Sequence, residues 1–313
     1  MKKEIFILLL LTLLLTSCAA VSKFIPSFAS KEEAGRGLIL SWEEYPQAEY
    51  LDEAEPFRLV ARIENNLNYP IQGQVCLHQT APQRIGGIPS GSCRTINIPA
   101  AEQIDNKIFE QSDHYVFPET GNYEYRGLSQ DLPHETKFIA ELDYIVDAKA
   151  GTTLCVKQPG IPENRVNNCE DKQTITDIQQ PEMPIEIDKV EKSLTAQSDN
   201  QLRLNLNVYV ELRDTKGLPF SPDALSSNMN IFERPFIQFE ARYGNVPLLC
   251  QGVQEGRIRF DKSEKVIKCF GTVLVDAETL QDVLELHLVY GYRTSIETPI
   301  IKLRRSEVSG ALI

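Results

Sequence analysis

Seven cysteines and four histidines are the residues of this chain best suited to chemistry. Six of the cysteines, Cys76, Cys93, Cys155, Cys169, Cys250 and Cys269, fall into three close pairs separated by much longer gaps. Six cysteines allow many pairings, and the spacing favours the local ones, Cys76–Cys93, Cys155–Cys169 and Cys250–Cys269. Three local disulfides suit an oxidising compartment. Closing a loop of about 15 residues contributes about 3 kcal/mol each in the chain-entropy picture. A metal site is not indicated, because there is no Cys-x-x-Cys and only His78 lies near a cysteine at a ligand-like spacing. The histidines, His78, His114, His134 and His287, are scattered, and no Gly-x-Ser-x-Gly accompanies them. The sequence therefore assigns no catalytic residue, no metal ligand and no cofactor.

The seventh cysteine, Cys18, closes the one greasy run, "LLLTSCAA". Met1-Lys2-Lys3-Glu4 is a mostly basic start, and residues 5–15 are apolar except for Thr12. That run is too short to span a membrane, which takes about 20 apolar residues, but it has the length of a secretory core segment. Its end, Leu15-Thr16-Ser17-Cys18, resembles the lipobox of prokaryotic lipoproteins. The resemblance implies a diacylglycerol thioether on Cys18, cleavage before it, and a membrane partner reached through that lipid. Each buried CH₂ of such an anchor contributes about 0.8 kcal/mol. The competing reading is an ordinary signal peptide cut near Ala19-Ala20. Under either reading the chain leaves the cytoplasm. Residues 18–36, rich in Pro, Gly, Ser and charges, read as a tether.

Two segments could recognise something. The stretch between Cys76 and Cys93, "LHQTAPQRIGGIPSGS", offers Arg84 on a glycine-rich, disulfide-clamped loop. Residues 106–128 form an aromatic-rich insertion with Tyr115, Tyr123 and Tyr125 as possible binding residues, which could stack on sugars or fold back over a sheet edge. Tyr290-Gly291-Tyr292 sits between apolar strands and suits a corner-type hydrogen bond to backbone.

The elements that must position these residues are strands. Phe57, Leu59, Ala61 and Ile63 alternate with polar neighbours in "PFRLVARIENN". Leu202, Leu204, Leu206, Val208, Val210 and Leu212 alternate in "QLRLNLNVYVEL". "KFIAELDYIVDAK" and "TTLCVK" read as a hairpin turning at Ala150-Gly151. Helix signal is confined to a short turn at Ser221-Pro222-Asp223-Ala224-Leu225, with Ser221 as its cap. "QQPEMP" at 179–184 reads as a boundary, because its prolines lack ladder donors. The expected organisation is all-β: a signal peptide at 1–17, the tether at 18–36, two tandem immunoglobulin-like β-sandwich domains at 37–182 and 183–305, and a tail at 306–313. "EPFRLVARIENNLNYPIQGQVCL" resembles strands of prokaryotic extracellular immunoglobulin-like domains of the cell-adhesion-related kind. "ELDYIVDAKAGTTLCVKQPG" and "NCEDKQTITDIQQPEMPIEIDKVEKS" resemble a junction in secreted proteins of small-genome archaea. The resemblance implies surface display and carries over no catalytic residue.

The formal net charge is −12, and removal of residues 1–17 makes it one unit more negative. An acidic chain repels phosphate backbones, so nucleic acid is not an expected partner. The expected function is a non-enzymatic, lipid-anchored surface scaffold for binding, adhesion or envelope assembly, with a protein or a surface glycan as partner. A carbohydrate-binding lipoprotein using the 106–128 aromatics is the first alternative. An envelope hydrolase or its accessory subunit is the second.

Overall fold

The computed structural model describes residues 37–104, 107–128, 134–162, 169–198, 200–213, 217–225 and 235–305. Cys18, the leader, the tether and the tail lie outside them. The described residues are all-β, with strands numbered β1 to β21 in chain order.

The frame is one eight-stranded sheet. Its spine is an antiparallel ribbon of two very long strands, β10 (Phe138–Lys157) and β20 (Thr279–Glu297). They pair without a break from Ile139 opposite Glu297 to Lys157 opposite Thr279. At one end β4 (Ile71–Gln79) and β5 (Ser92–Ile98) extend the sheet beyond β10. Toward the other end β15 (Phe236–Tyr243), β16 (Val246–Pro247) and β18 (Arg257–Arg259) extend it beyond β20. The short β14 (Leu218–Phe220) also pairs with β20.

Two smaller sheets accompany this frame. One orders β1 (Leu38–Glu44), β3 (Leu59–Asn65) and β8 (Gln111–Phe117). The other orders β11 (Lys172–Ile175), β12 (Ile185–Ala196), β13 (Gln201–Leu212), β19 (Glu264–Leu274) and β17 (Leu249–Cys250). A three-stranded clasp joins β2 (Tyr50–Asp52), β21 (Ile301–Arg304) and β9 (His134–Thr136). The hairpin of β6 (Glu102–Ile104) and β7 (Lys107–Phe109) stands apart.

The period-two pattern decides which face is inside. Phe138, Ala140, Leu142, Tyr144, Val146, Ala148 and Ala150 of β10 are all buried, as are Leu284, Leu286, Leu288, Tyr290 and Tyr292 of β20. They share one continuous core with Leu59 and Ile63 of the first small sheet and with Leu204 and Val208 of the second. Strand alternation places the intervening residues on the opposite face.

Three expectations change here. Ala150-Gly151 is not a turn: Gly151 lies within β10 opposite Glu285, and its N–H donates to the Gln179 carbonyl at 2.8 Å. Residues 179–184, the boundary marked by the prolines, are tied into the β body. The Gln180 carboxamide exchanges two hydrogen bonds with the Ile187 backbone, and Met183 is buried. The boundary at 182/183 also does not separate two independent sheets, because β10 comes from one side of it and β20 from the other. The short turn expected at 221–225 forms as a 3-10 turn, Pro222–Ala224, but Ser221 makes no side-chain cap.

Candidate functional site

The structure joins Cys76 to Cys93, Cys155 to Cys169 and Cys250 to Cys269, the pairs favoured by spacing. Cys76–Cys93 and Cys250–Cys269 link residues directly opposite one another on adjacent strands. Strand pairing thus gives these two cross-links their geometry. Cys155–Cys169 ties the end of β10 to the approach of β11. Close to it are two buried lysines. Lys157 reaches the Asp171 carboxylate at 3.3 Å and the Ile161 carbonyl at 2.8 Å. Lys192 donates to the Cys155 carbonyl at 2.6 Å, and burial pushes its amine below the usual lysine range.

The aromatic set expected at 106–128 does not make an exposed platform. Tyr125 is fully buried and Tyr123 is 8 % exposed. Phe57 stacks on Tyr125 at 5.5 Å and tilts against Tyr123 at 5.7 Å. Of the two readings open to these rings, stacking on sugars or folding back, Tyr123 and Tyr125 follow the second. They are drawn inward because Phe57 pairs its backbone with Tyr123 and Phe138 adds a third apolar wall. Tyr115 alone stays half-exposed, on β8.

The Arg84 loop packs onto the same segment. The Tyr125 hydroxyl donates to Gln79 Oε1 at 2.9 Å, and burial pushes that phenol up to about 12. Gln79 also accepts from the Ile88 N–H at 2.7 Å and donates to the Gly86 carbonyl at 2.8 Å. Gly87 is required here: its φ is +81°, and a Cβ would lie 2.1 Å from Gln79 Oε1. The loop is therefore rigid, with Ile85 and Ile88 buried beneath an exposed Arg84.

The open face of the large sheet carries the most organised polar structure. Its first row crosses four strands: Thr95, Gln74, Asp143 and Arg293 stand directly opposite one another. Asp143 is 1 % exposed, and Arg293 grips it with two bonds of 2.5 and 2.6 Å. Gln74 adds a donor to Asp143 at 3.3 Å. Arg293 also reaches Glu141 at 2.9 Å, and Glu141 stands 3.7 Å from His78. The Asp143 carboxylate pushes the Arg293 guanidinium higher still, and the Glu141 carboxylate raises the His78 imidazole. Such a bidentate, fully bonded pair offsets the cost of removing two charges from water.

The second row is Asn97, Gln72, Ile145 and Gly291, followed by Phe220. A Cβ on Gly291 would lie 2.1 Å from the Phe220 ring, so this glycine lets the ring bury completely. The chain then turns at Pro222–Ala224 beside the face, and Asp223 is held by Arg257 at 2.6 Å. Between this turn and β4–β5 lies an open groove of about 510 Å³. Gln72, Gln74, Thr95 and Asn97 line it with amides and a hydroxyl, and Ile145, Pro222 and Leu225 with aliphatic carbon. Sequence reasoning missed this site. Gln72 and Asn97 sit on different strands, and only register makes them neighbours.

Two other histidines contact acids. His114 Nδ1 is 2.5 Å from Glu43 Oε2, and His287 Nε2 is 2.7 Å from Asp147 Oδ1. The first pair is about half exposed on both sides, and Asp147 is 68 % exposed. These are solvated surface pairs. Among the described residues no three His, Cys, Asp or Glu side chains converge as metal ligands, and no helix is long and apolar enough to cross a membrane. Family models, curated proteins and solved structures give no match to this chain.

Proposed function

We propose that this chain is a lipid-anchored, extracytoplasmic binding scaffold and not an enzyme. Cys18 carries the diacylglycerol, and residues 18–36 stand the β body off the membrane. The partner is a protein or glycan of the cell surface or envelope, and each half of the body follows an immunoglobulin-like plan built on the shared ribbon. The observation that carries the reading is the set of three disulfides in an all-β frame. Such cross-links persist in oxidising compartments and are rare in the cytosol. The lipobox-like Leu15-Thr16-Ser17-Cys18 supports the anchor. The rigid open face supports a role in recognition, because a rigid surface loses little entropy when it binds.

Intact-mass measurement of the processed protein tests the anchor. The expected species begins at Cys18 and carries a diacylglycerol mass, and Cys18→Ala abolishes both processing and membrane retention. A mature chain beginning at unmodified Ala19 or later overturns it. Crosslinking on intact envelopes tests the scaffold: a specific protein or glycan partner retained by the wild-type protein is expected, and recovery of neither overturns that part.

A further inference from the structure

We propose that the groove on the open face of the large sheet binds a neutral saccharide of one or two rings. The proposal rests on the scaffold reading above and names the ligand class of its open face. Four polar side chains form a grid, with Gln72 opposite Asn97 and Gln74 opposite Thr95. Neighbours along each strand are about 7 Å apart, and neighbours across strands about 5 Å. Gln72, Thr95 and Asn97 are exposed, and none has a side-chain hydrogen bond among the described residues. Gln74 is anchored through its amide nitrogen to Asp143, which leaves its carbonyl oxygen as an acceptor.

The chemistry selects the ligand. None of the described residues that line the groove is ionisable, in a chain of which 24 % is charged. Charges beside the groove are already engaged: Asp143 with Arg293, and Asp223 on the turn with Arg257. Phosphates and carboxylates therefore find no countercharge here. A carboxamide presents a donor and an acceptor side by side. Ring hydroxyls also donate and accept, so three carboxamides and a hydroxyl match a polyhydroxylated face. Ile145, Pro222 and Leu225 supply aliphatic surface for the C–H face of a ring. The volume lies within the range of small-ligand sites. Strand addition needs a free backbone edge. Here β4 is paired on both sides, with β10 and with β5, whereas β5 ends the sheet among the described residues, so a peptide added along β5 is the rival occupant that the peptide arm of the test reads.

The test uses the full mature protein and a panel of glucose, galactose, mannose, N-acetylglucosamine, lactose and maltose, read by saturation-transfer NMR. Acidic sugars and a tiled peptide set run in parallel. The expected result is binding of at least one neutral saccharide. The double variant Gln72→Ala/Asn97→Ala weakens it at least tenfold, equivalent to about 1.4 kcal/mol, with an unchanged thermal melt. Ile145→Glu, which places a charge on the groove wall, abolishes it. Binding of no neutral sugar, equal binding by the double variant, or preferential capture of acidic sugars or peptides overturns the proposal. The scaffold reading fails separately. A protein partner crosslinked on envelopes without saccharide binding overturns only the ligand class, whereas absence of both overturns the scaffold as well.

Discussion

At the residue scale, His78 and Glu141 show how a half-exposed pair ties stability to pH. The Glu141 carboxylate raises the His78 imidazole above its ordinary 6.5. The His78 ring, with Arg293 beside it, lowers Glu141 below its ordinary 4.5. A raised histidine stabilises fully below its unfolded value and loses that contribution as pH rises through the folded value. A lowered carboxylate stabilises fully above its unfolded value and loses that contribution as pH falls through the folded one. The pair therefore contributes fully between pH 4.5 and 6.5 and fades on both sides. His78→Gln is expected to cost less than about 1 kcal/mol in that window, because both groups are partly solvated. The difference disappears by about pH 9. Thermal melts of both proteins at about pH 5.5 and pH 9 check this, and an equal deficit at both values refutes it.

At the element scale, the polar row across β5, β4, β10 and β20 ties separate strands into one sheet. Each strand contributes one member, so no single segment contains the motif. Asp143→Asn leaves the Arg293 guanidinium without its buried carboxylate partner. The expected loss in urea unfolding is about 3 kcal/mol, the lower end for breaking a buried pair. A loss under about 1 kcal/mol would mean that solvent substitutes freely for Asp143. The strands themselves were largely legible from alternation: Gln201–Leu212 matches the sequence reading end to end. Gly151 was misread because glycine usually punctuates strands. Here it is tolerated because its backbone bonds to Gln179 while Glu285 stands opposite on β20.

At the scale of the whole molecule, the ribbon fuses the two halves. The Tyr290 hydroxyl accepts the Ile185 N–H at 3.0 Å, joining the centre of β20 to the first residue of β12. The Tyr-Gly-Tyr motif thus bonds to backbone 105 residues away instead of making the local corner expected of it. Beside it the Tyr69 hydroxyl is buried without a hydrogen-bond partner among the described residues, and burial raises both phenols. One shared sheet and one continuous core predict one cooperative unfolding event. Calorimetry of the disulfide-intact protein is expected to show a single transition with matching calorimetric and van't Hoff enthalpies. Two resolved transitions would mean that the halves unfold independently.

The sequence by itself determined the all-β class, because period-two alternation and turn residues are local signals. It also pointed to the three disulfides, because short loops close more readily than long ones. The binding residues were a different matter. Tyr123 and Tyr125 carry the composition of a site, and tertiary packing buried them against Phe57. Gln72 and Asn97 carry no signal in sequence, and strand register set them side by side. Local chemistry decides whether a segment can be a strand, but which strand lies beside it depends on contacts between residues far apart in the chain. The long ribbon, the shared core and the uncharged groove are all decided at that distance.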